Sequence, residues 1–280
     1  NFQYIAYEEL SLPLRQILKK GSVVQLIPDN NLLEEIIIVG RTNLRDIDLP
    51  FNVKRVNAEA IYGSNAQNSA DALEYSGAAY VQRSQMGGGS PVVRGFEANK
   101  LLLVIDGVRM NNAIYRNGHL QNAITIDPSM LQQMEVIYGP GSLMYGSEAL
   151  GGVIHFRSKS PDLIFDDNPK HSLSAYTRFN SSNLEKTAHV HHGYSSSGFA
   201  VLTGLSYSDF SDLRSGKNQI EDYPSFGLRP DFVQTINGVD SIVINPDPFV
   251  QKGTAFSQFD FFQKWHFSLS DKVTLDLNLQ

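Results

Sequence analysis

The last third of the chain alternates apolar and polar residues with a period of two, the pattern of strands with one apolar face. In VTLDLNL, Val273, Leu275, Leu277 and Leu279 fall on one face, while Thr274, Asp276, Asn278 and then Gln280 fall on the other. In SQFDFFQKWHFSL, Phe259, Phe261, Trp265, Phe267 and Leu269 share a face opposite Asp260, Lys264 and His266. FAVLTGLSYSD behaves likewise, and HSLSAYTRFNS and KTAHVHHGYSS repeat the pattern more weakly. Five strands of about ten residues are therefore predicted over 161–280, a length suited to a tilted strand crossing a bilayer. SSSG (195–198) and LSDK (269–272) read as tight turns, and a long polar stretch runs from Phe210 to Thr254. Short turns at one end and a long loop at the other fit an outer-membrane barrel, although the SNLE connection is short for the long-loop side. The alternative is a soluble β-sandwich, a binding or adhesion protein without transport, since its strands alternate too.

Residues 53–160 read differently, as a compact α+β domain. Strands are predicted in AAYVQRS, PVVRGF, KLLLVIDGVRM, MLQQMEVIYG and GGVIHFRSK. One short helix should start near Ser69 as its N-cap and run through Ala72 and Leu73. A second is predicted in PSMLQQM, capped by Asp127 or Ser129 with Pro128 in its first turn. Residues 1–33 hold two short strands around a helical turn, too little for a core of their own. Residues 34–52 begin with EEIIIVG, whose non-alternating Ile36–Val39 run could add to an exposed sheet edge.

Composition narrows the function. With 280 residues and 41% apolar side chains the chain can build a core, and a net charge of −6 argues against a nucleic-acid partner. It has no cysteine, so disulfide scaffolds and thiolate metal sites are excluded. No Ser/His/Asp set has supporting context, HExxH is absent and no glycine loop has phosphate-cradle spacing, so no enzyme and no cofactor is predicted. His189 and His191 share a strand face and are weak metal candidates, with His192 on the opposite face. Five strands cannot close a barrel, the chain stops within a strand at Gln280, and it starts at Asn1 without a visible signal peptide. A fragment of a longer protein is the expectation.

VIYGPGSLMYGSEALGGVIHF (136–156) interrupts two strands with glycine. Gly139, Gly141 and Gly146 are suited to φ > 0 turns, and Gly151 and Gly152 to close backbone approach. This stretch, preceded by PVVRGFEANKLLLVIDGVRMN (91–111), resembles the plug domain of TonB-dependent outer-membrane receptors. EEIIIVG resembles a TonB box, and residues 1–33 resemble the end of the carboxypeptidase-regulatory-like domain found before some plugs.

The resemblance implies an α+β plug domain followed by antiparallel transmembrane β-barrel strands, located in the bacterial outer membrane among its lipids. It implies active import of a scarce nutrient, with energy delivered through TonB on the periplasmic side. Glu35, Ile36, Ile37, Ile38 and Val39 would bind TonB by strand addition. Substrate would meet the loops of Gln85, Met86, Gly87 and Gly88 and of Arg109, Asn111, Tyr115, Arg116 and His119. His119 beside Tyr115 and Arg116 could serve haem iron and a propionate. Haem, a siderophore or other metal chelate, and cobalamin all stay open as substrates. Arg94, Glu135 and Arg157 would hold the plug to the barrel. Tyr138 stands where many members carry Arg, so any contact made there must be made differently.

Overall fold

The computed structural model describes residues 52–83, 87–97, 100–110, 123–141, 145–146, 148–161, 168–218, 220–270 and 273–280, with backbone strands at 38–39 and 42–43. The chain divides into two units, Asn1–Pro50 and Phe51–Gln280. In the first, β1 (Ile38–Val39) pairs antiparallel with β2 (Thr42–Asn43). The predicted elements of residues 1–33, and Glu35, Ile36 and Ile37, lie outside the described residues.

The second unit opens with β3 (Asn52–Asn57), α1 (Ala58–Gly63), α2 (Ser69–Tyr75), β4 (Tyr80–Gln82), β5 (Ser90–Val92), β6 (Leu101–Ile105), β7 (Val108–Arg109), β8 (Leu131–Tyr138) and β9 (Gly152–Ser158). Five of the strands form one sheet in the order β3-β8-β9-β6-β7, in which only β6 and β9 run parallel. LLLVI does not alternate because β6 is buried on both faces, with Leu101 to Val104 at most 2% exposed. Leu73 and Ala70 of α2 and Ile61 of α1 pack with Met134, Val136, Ile154 and Phe156 of the sheet.

Local predictions needed four corrections. The cap of α2 is Asn68, whose side chain accepts from the Asp71 N–H, one residue before the predicted Ser69. Helix α1, capped by Asn57, was not foreseen, because six residues are too few to show a helical period. PSMLQQM is helical only as a 3-10 turn over Pro128–Met130 capped by Asp127; Leu131 already belongs to β8, whose ladder outweighs local preference. In the glycine stretch, Gly139 and Gly146 do take positive φ (+112° and +92°). Gly141 is needed for room instead, since a Cβ there would stand 2.7 Å from Val153 Cγ2.

The wall follows: β10 (Lys170–Asn180), β11 (Glu185–Ser196) and β12 (Phe199–Phe210). A long excursion carries β13 (Leu213–Arg214), β14 (Asp231–Ile236), β15 (Val239–Ile244) and β16 (Val250–Gln251). Then come β17 (Phe256–Ser270) and β18 (Val273–Leu279). The sheet order β10-β11-β12-β17-β18 is antiparallel throughout, an unclosed arc of barrel wall. The sandwich alternative fails here: the inner face of this sheet receives the first domain rather than a second sheet. Along β12, Ala200, Leu202 and Ser206 turn inward and are buried, whereas Leu205 and Tyr207 turn outward. Outward Leu173 and Phe259 are 73% and 67% exposed, an apolar surface that suits lipid. At the tight-turn end the rings of Tyr194, Phe199 and Phe267 lie in a row, tilted against one another with centroids 6.1 and 5.0 Å apart, the arrangement of an interfacial aromatic girdle.

Asp212 staples the neck of the excursion. Its Oδ1 accepts the N–H groups of Gly253, Thr254 and Ala255 at 3.0, 3.0 and 3.1 Å, and Lys252 lies 3.4 Å from Oδ2. Burial pushes its carboxyl up, but the Thr254 and Ala255 N–H groups and Lys252 outweigh that and hold it below the usual carboxylate value. A depressed folded value means the staple is complete above the unfolded value of about 3.9 and is lost as pH falls through the lower folded one. Amide exchange at 252–256, corrected for its intrinsic pH dependence, should therefore rise as pH drops through that window, and Asp212→Ala should give severalfold faster exchange already at neutral pH. A second outcome concerns packing. A Cβ at Gly151 would lie 2.2 Å from Phe96 Cβ, so Gly151→Ala should destabilise the domain by about 1–3 kcal/mol, read as a lower urea midpoint for its proteolysis.

Candidate functional site: the interface between plug and wall

The first domain of this unit lies against the inner face of the wall, and polar side chains join the two at three places. At the long-loop end, Glu185 of β11 is fully buried and accepts from Arg178 Nε at 2.7 Å, Thr187 Oγ1 at 2.7 Å and Gln67 Nε2 at 2.6 Å. Arg178 Nη1 also donates to the carbonyl of Ala66 at 2.7 Å, and Asn183 exchanges hydrogen bonds with Gln67. The short SNLE connection now has a reason, because it docks on the turn before α2. Breaking a buried pair such as Arg178–Glu185 by removing one partner leaves an uncompensated charge, which costs about 3–5 kcal/mol.

Midway along the wall, the 3-10 turn at Pro128–Met130 presses against β10, β11 and β12. Asp127 accepts from the Ser206 hydroxyl, Ser129 bonds the Tyr176 hydroxyl, and Met130 packs between Leu202 and Phe262. Gly204 is what admits Met130, since a Cβ there would stand 2.5 Å from Met130 Cε. The Tyr62 hydroxyl donates to the Ser129 carbonyl at 2.8 Å and receives the Lys159 ammonium, which also sits 4.8 Å from the Tyr62 ring centroid. Burial, together with Tyr176 and Asp127, pushes the Tyr62 phenol up to about 12. Burial lowers Lys159, against the pull of Asp127.

The third anchor is Asp106, in the turn between β6 and β7 and at φ +47°. Its Oδ1 accepts the Ser158 N–H at 2.9 Å. Its Oδ2 accepts from the Ser158 hydroxyl and from the wall: Lys264 Nζ at 3.1 Å, Asn278 Nδ2 at 2.8 Å and Gln280 Nε2 at 3.1 Å. Lys264 further reaches the Ser158 carbonyl at 3.3 Å. Charge-assisted bonds of this kind are roughly twice as strong as neutral ones.

The residues predicted to make these contacts find their partners elsewhere. Arg94 lies 4.9 Å over the ring of Tyr138, within the same domain. Tyr138, in turn, donates to the Ala78 carbonyl at 2.8 Å; burial raises its phenol and Arg94 partly offsets this. Glu135 is buried in the sheet among Gln133 Nε2 (2.8 Å), Arg157 Nε (3.3 Å), His155 Nδ1 (3.5 Å) and Arg55 Nε (3.7 Å). Of the substrate-loop candidates, Gly87 lies beside the ring of Phe256 at the long-loop end, with Gly88 next to it. Arg109 is paired with Glu148 at 2.7 Å. Gln85, Met86, Asn111, Tyr115, Arg116 and His119 lie outside the described residues. His189 and His191 do face inward, as their spacing predicted, while His192 points outward and contacts His171 at 3.1 Å. No group of three or more His, Cys, Asp or Glu among the described residues could hold a metal ion.

Sequence reading missed Gln67, Asp106 as an anchor, Asp127 as more than a cap, Arg178, Glu185 and Lys264. The available signal was weak: inward-facing charges on alternating strands look the same whether they meet water or a partner. Asp106→Ala should raise amide exchange in β6, β7 and β9 about tenfold or more, because one carboxylate there serves donors from both bodies. Glu148→Ala, which removes only the exposed Arg109 pair, should leave that exchange near the wild-type rate.

The family described as TonB-dependent Receptor Plug Domain matches residues 45–153. The hemin receptor of Yersinia pestis is 28% identical over 150 residues, covering 53% of this chain and 22% of that protein. The vitamin B12 transporter BtuB of Vibrio vulnificus is 38% identical over 86 residues, 29% of this chain and 14% of that protein. The pyoverdine outer membrane receptor FpvA of Pseudomonas aeruginosa PAO1 shares the fold over 82% of this chain and 27% of its own, with a TM-score of 0.57 and 14% identity. The chain thus spans about a fifth of the length of the first of these relatives. The proteins it is similar to are receptors and transporters, not enzymes. Residues 45–153 thus carry the match to the TonB-dependent receptor plug family, and the plug seated against the inner face of an antiparallel wall gives the chain the fold of the outer-membrane receptor structures it resembles.

Proposed function

We propose that the receptor imports a scarce iron chelate, haem first, across the outer membrane in a TonB-dependent step. The observation that carries this reading is the way the plug is held. Its contacts to the wall include charged and neutral hydrogen bonds around Asp106, Asp127 and Glu185, which water can replace one at a time. An obstruction fixed in this way can be loosened and reseated. Haem is placed ahead of siderophores and cobalamin because the hemin receptor of Yersinia pestis aligns over 53% of the chain, against 50% for the ferrioxamine B receptor of Salmonella typhimurium and 29% for the vitamin B12 transporter.

In this scheme substrate arrives at the long-loop end, on the loops of Gln85–Gly88 and of Arg109, Asn111, Tyr115, Arg116 and His119. TonB takes Glu35–Val39 by strand addition from the periplasm. Ile38 and Val39 pair with Asn43 and Thr42 in a two-residue ladder, short enough for an incoming strand to displace. Residues 1–33 serve as a preceding carboxypeptidase-regulatory-like module and 34–52 as TonB box and linker.

The test is growth of a deletion strain with haemin, a ferric siderophore or cobalamin as the limiting nutrient. The full-length gene should restore growth on haemin, and the same gene lacking residues 34–39 should not. Undiminished growth of the deletion strain on haemin would remove haem as the substrate, and a defect confined to another arm would name the replacement.

A further inference from the structure

Between the plug and the tight-turn half of the wall lies a cavity of about 530 Å³, within the range of small-molecule sites. The wall contributes Lys170, Ser172 and His191 to its lining, and the plug contributes Gln132 and Lys159. Its described lining contains two lysines and no carboxylate. Tight turns mark the periplasmic side of such a barrel, so this cavity lies on the exit side of the plug.

A directed chain of hydrogen bonds ends at the cavity. The Asp127 carboxylate accepts from Ser206, which commits the one hydroxyl proton of Ser206. The Ser206 oxygen therefore accepts from His189 Nδ1 at 2.6 Å. A neutral imidazole that donates at Nδ1 accepts at Nε2, so His189 Nε2 accepts from His191 Nδ1 at 2.9 Å. With both rings neutral, the lone pair of His191 Nε2 is left free on the ring that lines the cavity. Metal-ligating histidines have this support, with the other ring N–H donated to an acceptor that fixes the tautomer and raises basicity.

The lining's other imidazole, His171, is engaged through Nδ1 with His192 at 3.1 Å; one supported imidazole does not hold a bare ion, and no group of three or more metal-ligating side chains occurs among the described residues. Such an imidazole suits a metal that brings most of its own ligands and keeps one position open. The lysines add a requirement for acidic arms. A ferric siderophore with six donors lacks the open position, whereas an iron porphyrin has both properties. We infer that this cavity is an exit-side haem station, in which His191 Nε2 ligates the iron and Lys159 and Lys170 face the propionates. The inference rests on haem as the imported ligand and adds a second resting point on the way in.

The full-length receptor, purified in detergent and titrated with haemin, tests it. The wild type should show a histidine-ligated Soret component that His191→Ala lacks. His191→Met should restore a component at a shifted wavelength, because a thioether also ligates haem iron, and this recovery separates ligation from misfolding. Ser206→Ala, which cuts the chain without touching the ligand, should weaken the component by about tenfold, as outer-shell partners of metal ligands do. Metal-free protoporphyrin should bind wild type and His191→Ala alike. Superimposable haemin spectra for wild type and His191→Ala would overturn the station, as would a wild-type spectrum with no histidine-ligated component. Growth on haemin reads import separately: growth with a His191-independent spectrum removes the station and keeps haem import. No growth with a His191-dependent spectrum removes import and keeps the site.

Discussion

The hydrogen bond from a donor on one body to a carboxylate on the other is the interaction on which the plug–wall arrangement depends. Asp106 and Asp127 reach outward from the plug, and Glu185 reaches inward from the wall. Each would be costly if buried without its partners, so the two bodies satisfy groups that neither satisfies alone. Apolar contacts accompany these bonds at two described places, the cluster of Met130, Leu202 and Phe262 and the ring of Phe256 packed on the plug core. A mainly apolar interface would bind the plug as firmly as a domain core. A polar one gives specificity of seating without that permanence.

The wall meets the opposite requirement on its other side. Every strand that turns Ser, His or Glu toward the plug must turn Leu, Val or Phe toward lipid, because successive side chains point to opposite faces. This explains why the same short segments carry both the anchors and the large exposed apolar residues. It also explains the polar side chain Arg178, which lies on the inward face of β10 and bonds plug carbonyls rather than water. The histidine pair sits at the meeting of the two requirements. It is inward, hydrogen-bonded through Ser206 to the plug, and adjacent to a cavity left where plug and wall do not touch.

Much of the fold could be read from the sequence, and for identifiable reasons. VTLDLNL and SQFDFFQKWHFSL alternate along most of their length, so the five wall strands and their faces are legible in the sequence. The placement of His189 and His191 together followed from the same period. Gly139 and Gly146 announced positive-φ turns because few other residues tolerate them. The charged anchors were not legible. Arg94, Glu135 and Arg157 looked like contacts to the wall because they are charged and lie on plug strands, yet each is paired within the plug.

What the sequence determined by itself is the local geometry: which segments are strands, which face of each is apolar, and where the backbone must turn tightly. Those properties depend on a residue and its near neighbours. Tertiary structure decided the partner of every charge. Asp106 meets Asn278 across 172 residues of chain, and Asp127 meets Ser206 across 79. Such meetings depend on the register of the strands between them and on how the plug docks. Alternation specifies that a polar side chain points inward. Only the packed structure specifies which group waits for it there.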